Sequence, residues 1–219
     1  MILNKWLNPN RMKSYLVTYS CADSKISDQF RKVRTNMKFL PIESTNRIYL
    51  FTSPGKSEGK STIIANLAVS LAQQKEKILL IDANLRNPSI HEIFRLPNHT
   101  GLTDLILQKQ VAEKVIYKTE IGKLDVLTSG STNDNPAELI GHHRVATILQ
   151  AAKKLYDMIL IDAPNILETT ETRILANQSD GVILVLNRGK TDLEKTVEAK
   201  RTLELAHAKL VGTIINERK

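Results

Sequence analysis

The stretch from Ile48 to Val69 restricts the fold more than any other part of this chain. An apolar run, Ile48-Tyr49-Leu50-Phe51, feeds the loop Thr52-Ser53-Pro54-Gly55-Lys56-Ser57-Glu58-Gly59-Lys60-Ser61-Thr62, which opens into a helical pattern, Ile63 to Val69. A strand that turns through such a loop into a helix gathers backbone N–H groups and the positive end of the helix dipole, and so cradles phosphate oxygens. Gly59 lets the backbone approach the phosphates, Lys60 sets a cation on the β- and γ-phosphates, and Ser61 supplies a hydroxyl for Mg2+. The strict pattern carries a glycine where this chain has Pro54, so Gly55 is expected to make the turn. The expected nucleotide-lining residues are Gly55, Lys56, Ser57, Glu58, Gly59, Lys60, Ser61 and Thr62.

Two later segments complete the pattern. Ile78-Leu79-Leu80-Ile81-Asp82 and Met158-Ile159-Leu160-Ile161-Asp162 are apolar strands tipped by an aspartate. Ligands of open α/β sheets sit at the carboxyl ends of the strands, so Ser61, Asp82 and Asp162 are expected to converge on Mg2+ and ATP.

From Arg47 onward, strands are predicted at 47–52, 77–82, 124–128, 157–162, 181–187 and 210–215. Helices are predicted near 59–74, 89–96, 102–108, 111–118, 136–154, 169–178 and 192–207. The strands are continuous apolar runs, which implies burial on both faces and a doubly wound α/β domain with a mostly parallel sheet. A further helix is predicted over 26–39, with Ile26, Phe30, Val33 and Met37 on its apolar face and Ser27 as its cap. This gives a basic segment, 1–25, ahead of a P-loop domain, 26–219, that begins with a helical extension.

Residues 1–50 hold nine of the 31 Lys/Arg but three of the 23 Asp/Glu. A basic leading segment suits an anionic membrane face or an acidic partner. It lacks the interleaved aromatics of a nucleic-acid surface, so no nucleic acid is expected. Met1 to Leu7 is short for an interfacial helix and reads as a frayed terminus. The single cysteine, Cys21, excludes an internal disulfide and fits a reducing cytoplasm, and no apolar run reaches the roughly 20 residues that span a bilayer.

Five further segments carry a resemblance: Ser27 to Asn36; Ile81-Asp82-Ala83-Asn84-Leu85-Arg86-Asn87-Pro88; Asn135-Pro136-Ala137-Glu138-Leu139-Ile140; Tyr156 to Asp162; and Ser179 to Val185. With the P-loop they resemble the bacterial tyrosine kinases of capsule and exopolysaccharide synthesis, relatives of the septum-site and partition ATPases. The resemblance implies a P-loop fold, ATP with Mg2+, and phosphoryl transfer to a protein tyrosine. It implies that Asp82 serves at the attacking hydroxyl, that Lys60 and Arg86 offset phosphoryl charge, and that Asn216 contacts adenine. Asn84 stands where the family has a second metal-facing aspartate; its amide oxygen still coordinates, without the charge.

Asp28, Arg31 and Arg34 match a self-association motif, implying a homo-oligomer. The implied partner is the cytoplasmic tail of a membrane adaptor or polysaccharide co-polymerase, which places the chain in the cytoplasm at the inner membrane face. Relatives carry a tyrosine-rich tail, whereas the five tyrosines here are Tyr15, Tyr19, Tyr49, Tyr117 and Tyr156. Three readings follow: a tyrosine kinase, an ATP-binding but kinase-deficient regulator docking on the co-polymerase, and a partition-type positioning ATPase.

Overall fold

The computed structural model describes residues 15–40, 47–131 and 135–217. Seven strands form one sheet in the order β3-β4-β2-β5-β1-β6-β7. They are β1 (Arg47–Thr52), β2 (Ile78–Asp82), β3 (Ile116–Lys118), β4 (Leu124–Leu127), β5 (Met158–Asp162), β6 (Gly181–Asn187) and β7 (Leu210–Asn216). All neighbours run parallel except the β3–β4 pair. Side chains alternate across the sheet, and both faces are covered. Ile48, Leu50, Leu79, Ile81, Ile159 and Ile161 belong to one apolar cluster, while Tyr49, Phe51, Ile78, Leu80, Met158 and Leu160 belong to the other. Each such side chain removed from water contributes ~1.5–3 kcal/mol, which is why these runs stay strands with no polar face.

The helices are α1 (Val17–Ser20), α2 (Lys25–Met37), α3 (Lys60–Ala72), α4 (Ile90–Phe94), α5 (Leu102–Ile106), α6 (Ala112–Val115), α7 (Pro136–Gly141), α8 (Arg144–Lys153), α9 (Thr170–Asn177) and α10 (Leu193–Leu205). The P-loop helix α3 is buried from Ile63 to Ala72 because α1 and α2 cover the side it turns from the sheet. Leu16 is fully buried there. Thr18 donates its N–H and hydroxyl to Asn66 Oδ1 at 3.1 and 3.0 Å, while Asn66 Nδ2 donates to the Tyr15 carbonyl at 2.6 Å. Residues 15–20, on the leading side of the expected division at 25/26, therefore pack against the P-loop helix. The expected frayed segment, Met1 to Leu7, lies outside the described residues.

Several sequence expectations need correction. The helix over 111–118 ends at Val115, and Ile116 to Lys118 form an edge strand, as β-branched and aromatic residues beside an open partner favour. The helix over 136–154 is broken at His142, whose backbone is extended (φ −67°, ψ 135°), just after the weak helix former Gly141. Ser24, not Ser27, caps α2; Ser27 is buried and donates to the Cys21 carbonyl at 2.7 Å. On the predicted apolar face of α2, Met37 is buried but Ile26 is exposed.

Candidate nucleotide-binding site

The P-loop leaves β1 and enters α3 through Gly59, which is left-handed (φ 89°, ψ 13°). A Cβ there would lie 2.3 Å from Asn216 Nδ2, and that amide donates to the Glu58 carbonyl at 3.0 Å. Asn216 thus holds the loop from behind; it is not among the residues lining the cleft described below. The Glu58 carboxylate, 2% exposed, is likewise turned inward. It accepts the Gly55 N–H at 2.9 Å, the Asn187 N–H at 3.1 Å and the Thr191 hydroxyl. The left-handed residues of the loop are Ser57 (φ 58°) and Gly59, while the Gly55 N–H is held by Glu58.

A first expected result follows from this geometry. Gly59→Ala should cost about 2 kcal/mol, combining a left-handed non-glycine residue with the lost Asn216 hydrogen bond. Thermal melting and titration with a fluorescent ATP analogue would check it, and an unchanged melting temperature would contradict it.

Lys60 begins α3 and is 8% exposed. One residue on, the Ser61 hydroxyl donates to Asp162 Oδ2 at 2.5 Å, and Asp162 Oδ1 is buried with no hydrogen-bond partner. Asp82 and Asp162 are direct cross-strand neighbours at the carboxyl ends of β2 and β5, and both are fully buried. Asp82 Oδ2 accepts the N–H groups of Ser89 and Ile90, each at 3.0 Å, and Oδ1 accepts that of Asn84 at 3.2 Å. Burial raises Asp82 to about 8, helped by the neighbouring Asp162 charge and opposed by those N–H groups. Burial also raises Asp162, to about 6, against the pull of Lys60 and Ser61.

An orphaned buried carboxylate oxygen beside a hydroxyl is the donor chemistry that a hard, oxygen-seeking cation requires, so Ser61 and Asp162 fit Mg2+. Among the described residues no group of three His, Cys, Asp or Glu could hold a metal ion.

Lys60 and Ser61 line a cleft of about 620 Å3, a size that accommodates a nucleotide, while the fully buried Asp82 and Asp162 lie behind its lining. The P-loop from Lys56 to Thr62 forms one wall, Asn84 and Arg86 a second, and Pro164, Asn165, Glu168 and Thr169 contribute the third. Asn84 Oδ1 accepts the Asn87 N–H at 3.3 Å. Lys56 bridges the mouth to Glu168 at 2.7 Å, which holds the Glu168 carboxyl below its ordinary range. Arg86 Nε lies 2.7 Å from Glu171 Oε1. The sequence reading missed Glu171. Within α2, Arg31 pairs with Asp28 and donates to the Ala22 carbonyl at 2.6 Å, and Arg34 donates to the Ser70 carbonyl at 2.6 Å.

A family of AAA domains matches residues 54–210, from the P-loop into β7. The fold and the cradle therefore define a P-loop nucleotide-binding protein of the AAA class. More narrowly, the chain is 40% identical over 210 residues to the tyrosine-protein kinase YwqD of Bacillus subtilis (strain 168), covering 96% of this chain and 89% of that one. The crystal structure of the chimerical protein CapA2B2 superposes with a TM-score of 0.89 at 36% identity, covering 94% of this chain and 90% of that chain. The septum site-determining protein MinD of Pyrococcus horikoshii OT3, complexed with Mg-ADP, matches at a TM-score of 0.66 and 25% identity, over 78% and 70% of the two chains. This chain belongs to the bacterial tyrosine-protein kinase family.

Proposed function

We propose that the chain is an ATP-dependent protein-tyrosine kinase of capsule or exopolysaccharide synthesis. The observation that carries the reading is the convergence of Lys60, Ser61 and Asp162 beside the buried Asp82 at one end of the sheet. The loop N–H groups and Lys60 would bind the phosphates, and Ser61 and Asp162 would hold Mg2+, with the Asn84 amide oxygen at the rim. When bound, the ion supplies charge compensation for the phosphates. Asp82 accepts three N–H groups, which leaves about one of its four acceptor sites; in the ionised form that bound Mg2+ would favour, it receives the proton of a tyrosine hydroxyl whose ordinary pKa is near 10. The tyrosine oxygen forms the new bond to phosphorus as the β–γ bridging bond breaks, and ADP departs. Lys60 and Arg86 counter the charge spread over the transferred group.

The substrate tyrosine comes from another protein or another copy. Tyr49 and Tyr156 are buried, whereas Tyr15 and Tyr19 are each 49% exposed and open to a neighbour's cleft. Asp28, Arg31 and Arg34 would join copies by exchanging their present contacts within the chain for contacts across an interface. Among the described residues no helix is long and apolar enough to cross a membrane. Placement in the cytoplasm at the inner membrane face would then come from the cytoplasmic tail of an adaptor or co-polymerase.

Incubation with labelled ATP, Mg2+ and a Glu–Tyr copolymer should yield phosphotyrosine. Intact ATP binding with no phosphotyrosine would instead support the kinase-deficient regulator, the reading that Asn84 favours. Hydrolysis coupled to dimerisation with no tyrosine product would point to a positioning ATPase. Asn84→Asp should tighten Mg2+ binding roughly tenfold, the worth of ~1.4 kcal/mol, in a titration of metal-dependent nucleotide affinity.

A further inference from the structure

Glu171 is a buried acid that none of the steps above uses. It stands in the first turn of α9, where the helix dipole favours a negative charge. The backbone around it is tied down. Thr172 and Thr52 both donate to the Pro164 carbonyl, at 3.0 and 2.6 Å, and Thr169 donates to the Asn165 carbonyl at 2.9 Å. The side chain is 1% exposed, against 49% for its partner Arg86. Acids are rarely buried without a partner, and here the partner is the arginine that lines the nucleotide cleft.

The pairing atom matters. A guanidinium carries five N–H donors in one plane, one on Nε and four on the two Nη atoms. Glu171 takes the Nε–H at 2.7 Å, which fixes the plane and leaves the four Nη hydrogens for an anion in the cleft. The carboxylate comes from a helix lashed to the cleft wall, so it defines a direction for a side chain that would otherwise sample many rotamers. Charge stabilisation in phosphoryl transfer depends on donors placed before the charge develops.

We propose that Glu171 is a positioning residue that aims Arg86 at the phosphoryl group during transfer, an inference that rests on the kinase reading above. Glu171 does not touch the substrate; it acts through Arg86.

The test uses the full chain with E171A, E171Q, R86A and the E171A/R86A double variant. Three quantities are measured: kcat and KM on a Glu–Tyr copolymer, affinity for ADP alone against ADP with aluminium fluoride and Mg2+, and melting temperature. E171A is expected to lower kcat about tenfold with the KM for ATP within about threefold, as a misaimed charged group would. It should weaken the ADP–aluminium fluoride complex by a similar factor and leave ADP binding unchanged. E171Q keeps an oxygen for the Nε–H and should recover part of the loss. The double variant should be no worse than R86A. An equal loss from E171A when Arg86 is already alanine would overturn the proposal, as would a parallel fall in ADP affinity and melting temperature. If the unaltered protein transfers no phosphate but analogue affinity still depends on Glu171 through Arg86, the kinase reading fails and the positioning stands. If that affinity ignores Glu171, the positioning fails whatever the transfer assay shows.

Discussion

Lys60→Ala is expected to lower phosphoryl transfer at least ~100-fold, about 2.7 kcal/mol of transition-state stabilisation, without unfolding the protein. Lys60 begins a buried helix behind the left-handed Gly59 and lines the cleft, close enough to Asp162 to pull its carboxyl down. The cost comes from charge rather than packing. The same ammonium opposes the burial that raises Asp162, so its removal should move Asp162 further up and weaken Mg2+ binding near neutral pH. Lys60→Arg should rescue little, because a planar guanidinium cannot replace a compact point charge in so closed a place. Labelled-phosphate transfer and nucleotide titration check both variants. Transfer above a tenth of the unaltered rate would remove Lys60 from the chemistry.

The second large effect concerns Asp82→Asn, which should abolish transfer to tyrosine, with a loss of at least ~1,000-fold expected for a missing proton acceptor. It should also change how stability responds to pH. Asp82 and Asp162 have folded values of about 8 and about 6 against an ordinary 3.8. Between these limits the folded protein retains protons that the unfolded chain has released. Stability of the nucleotide-free protein is therefore greatest at the acid end and falls as pH rises from about 4 towards 8, by at most ~1.4 kcal/mol per pH unit for each proton. Asp82→Asn removes one of these contributions and flattens that slope, whereas bound Mg2+ competes with the same protons and should bind more tightly as pH rises. The slope is the measure, not the absolute melting temperature. An asparagine oxygen can still accept from Ser89 and Ile90, but its amide nitrogen would face the Asn84 N–H. Parallel melting curves for the two proteins from pH 5 to 8 would refute the account.

Strand, loop and helix are neighbours along the chain, so Lys60 and Ser61 were legible from order alone. Asp82 and Asp162 were legible because both close continuous apolar runs, and carboxyl ends of parallel strands share one edge. What escaped depends on contacts between distant residues. Arg86 and Glu171 meet across 85 positions, and Asn216 reaches Glu58 across 158. No periodicity encodes such pairs. Asn216 was singled out by resemblance and Glu58 by loop membership, and neither signal shows that both side chains also brace the loop from within. The strand β3 was hidden because three residues carry too little pattern to compete with a helical one, and only the open edge of β4 selects it.

The clamp of Thr18 and Tyr15 on Asn66 bears on how this protein can be handled. Cutting the chain just before Lys25, a natural choice from the hydropathy pattern, would strip the partners from a side chain that is 1% exposed and bare the seat of Leu16. The wound would open on the same helix that presents Lys60. A shortened version that binds nucleotide poorly would then report damage inflicted by the scissors, six residues along from Lys60.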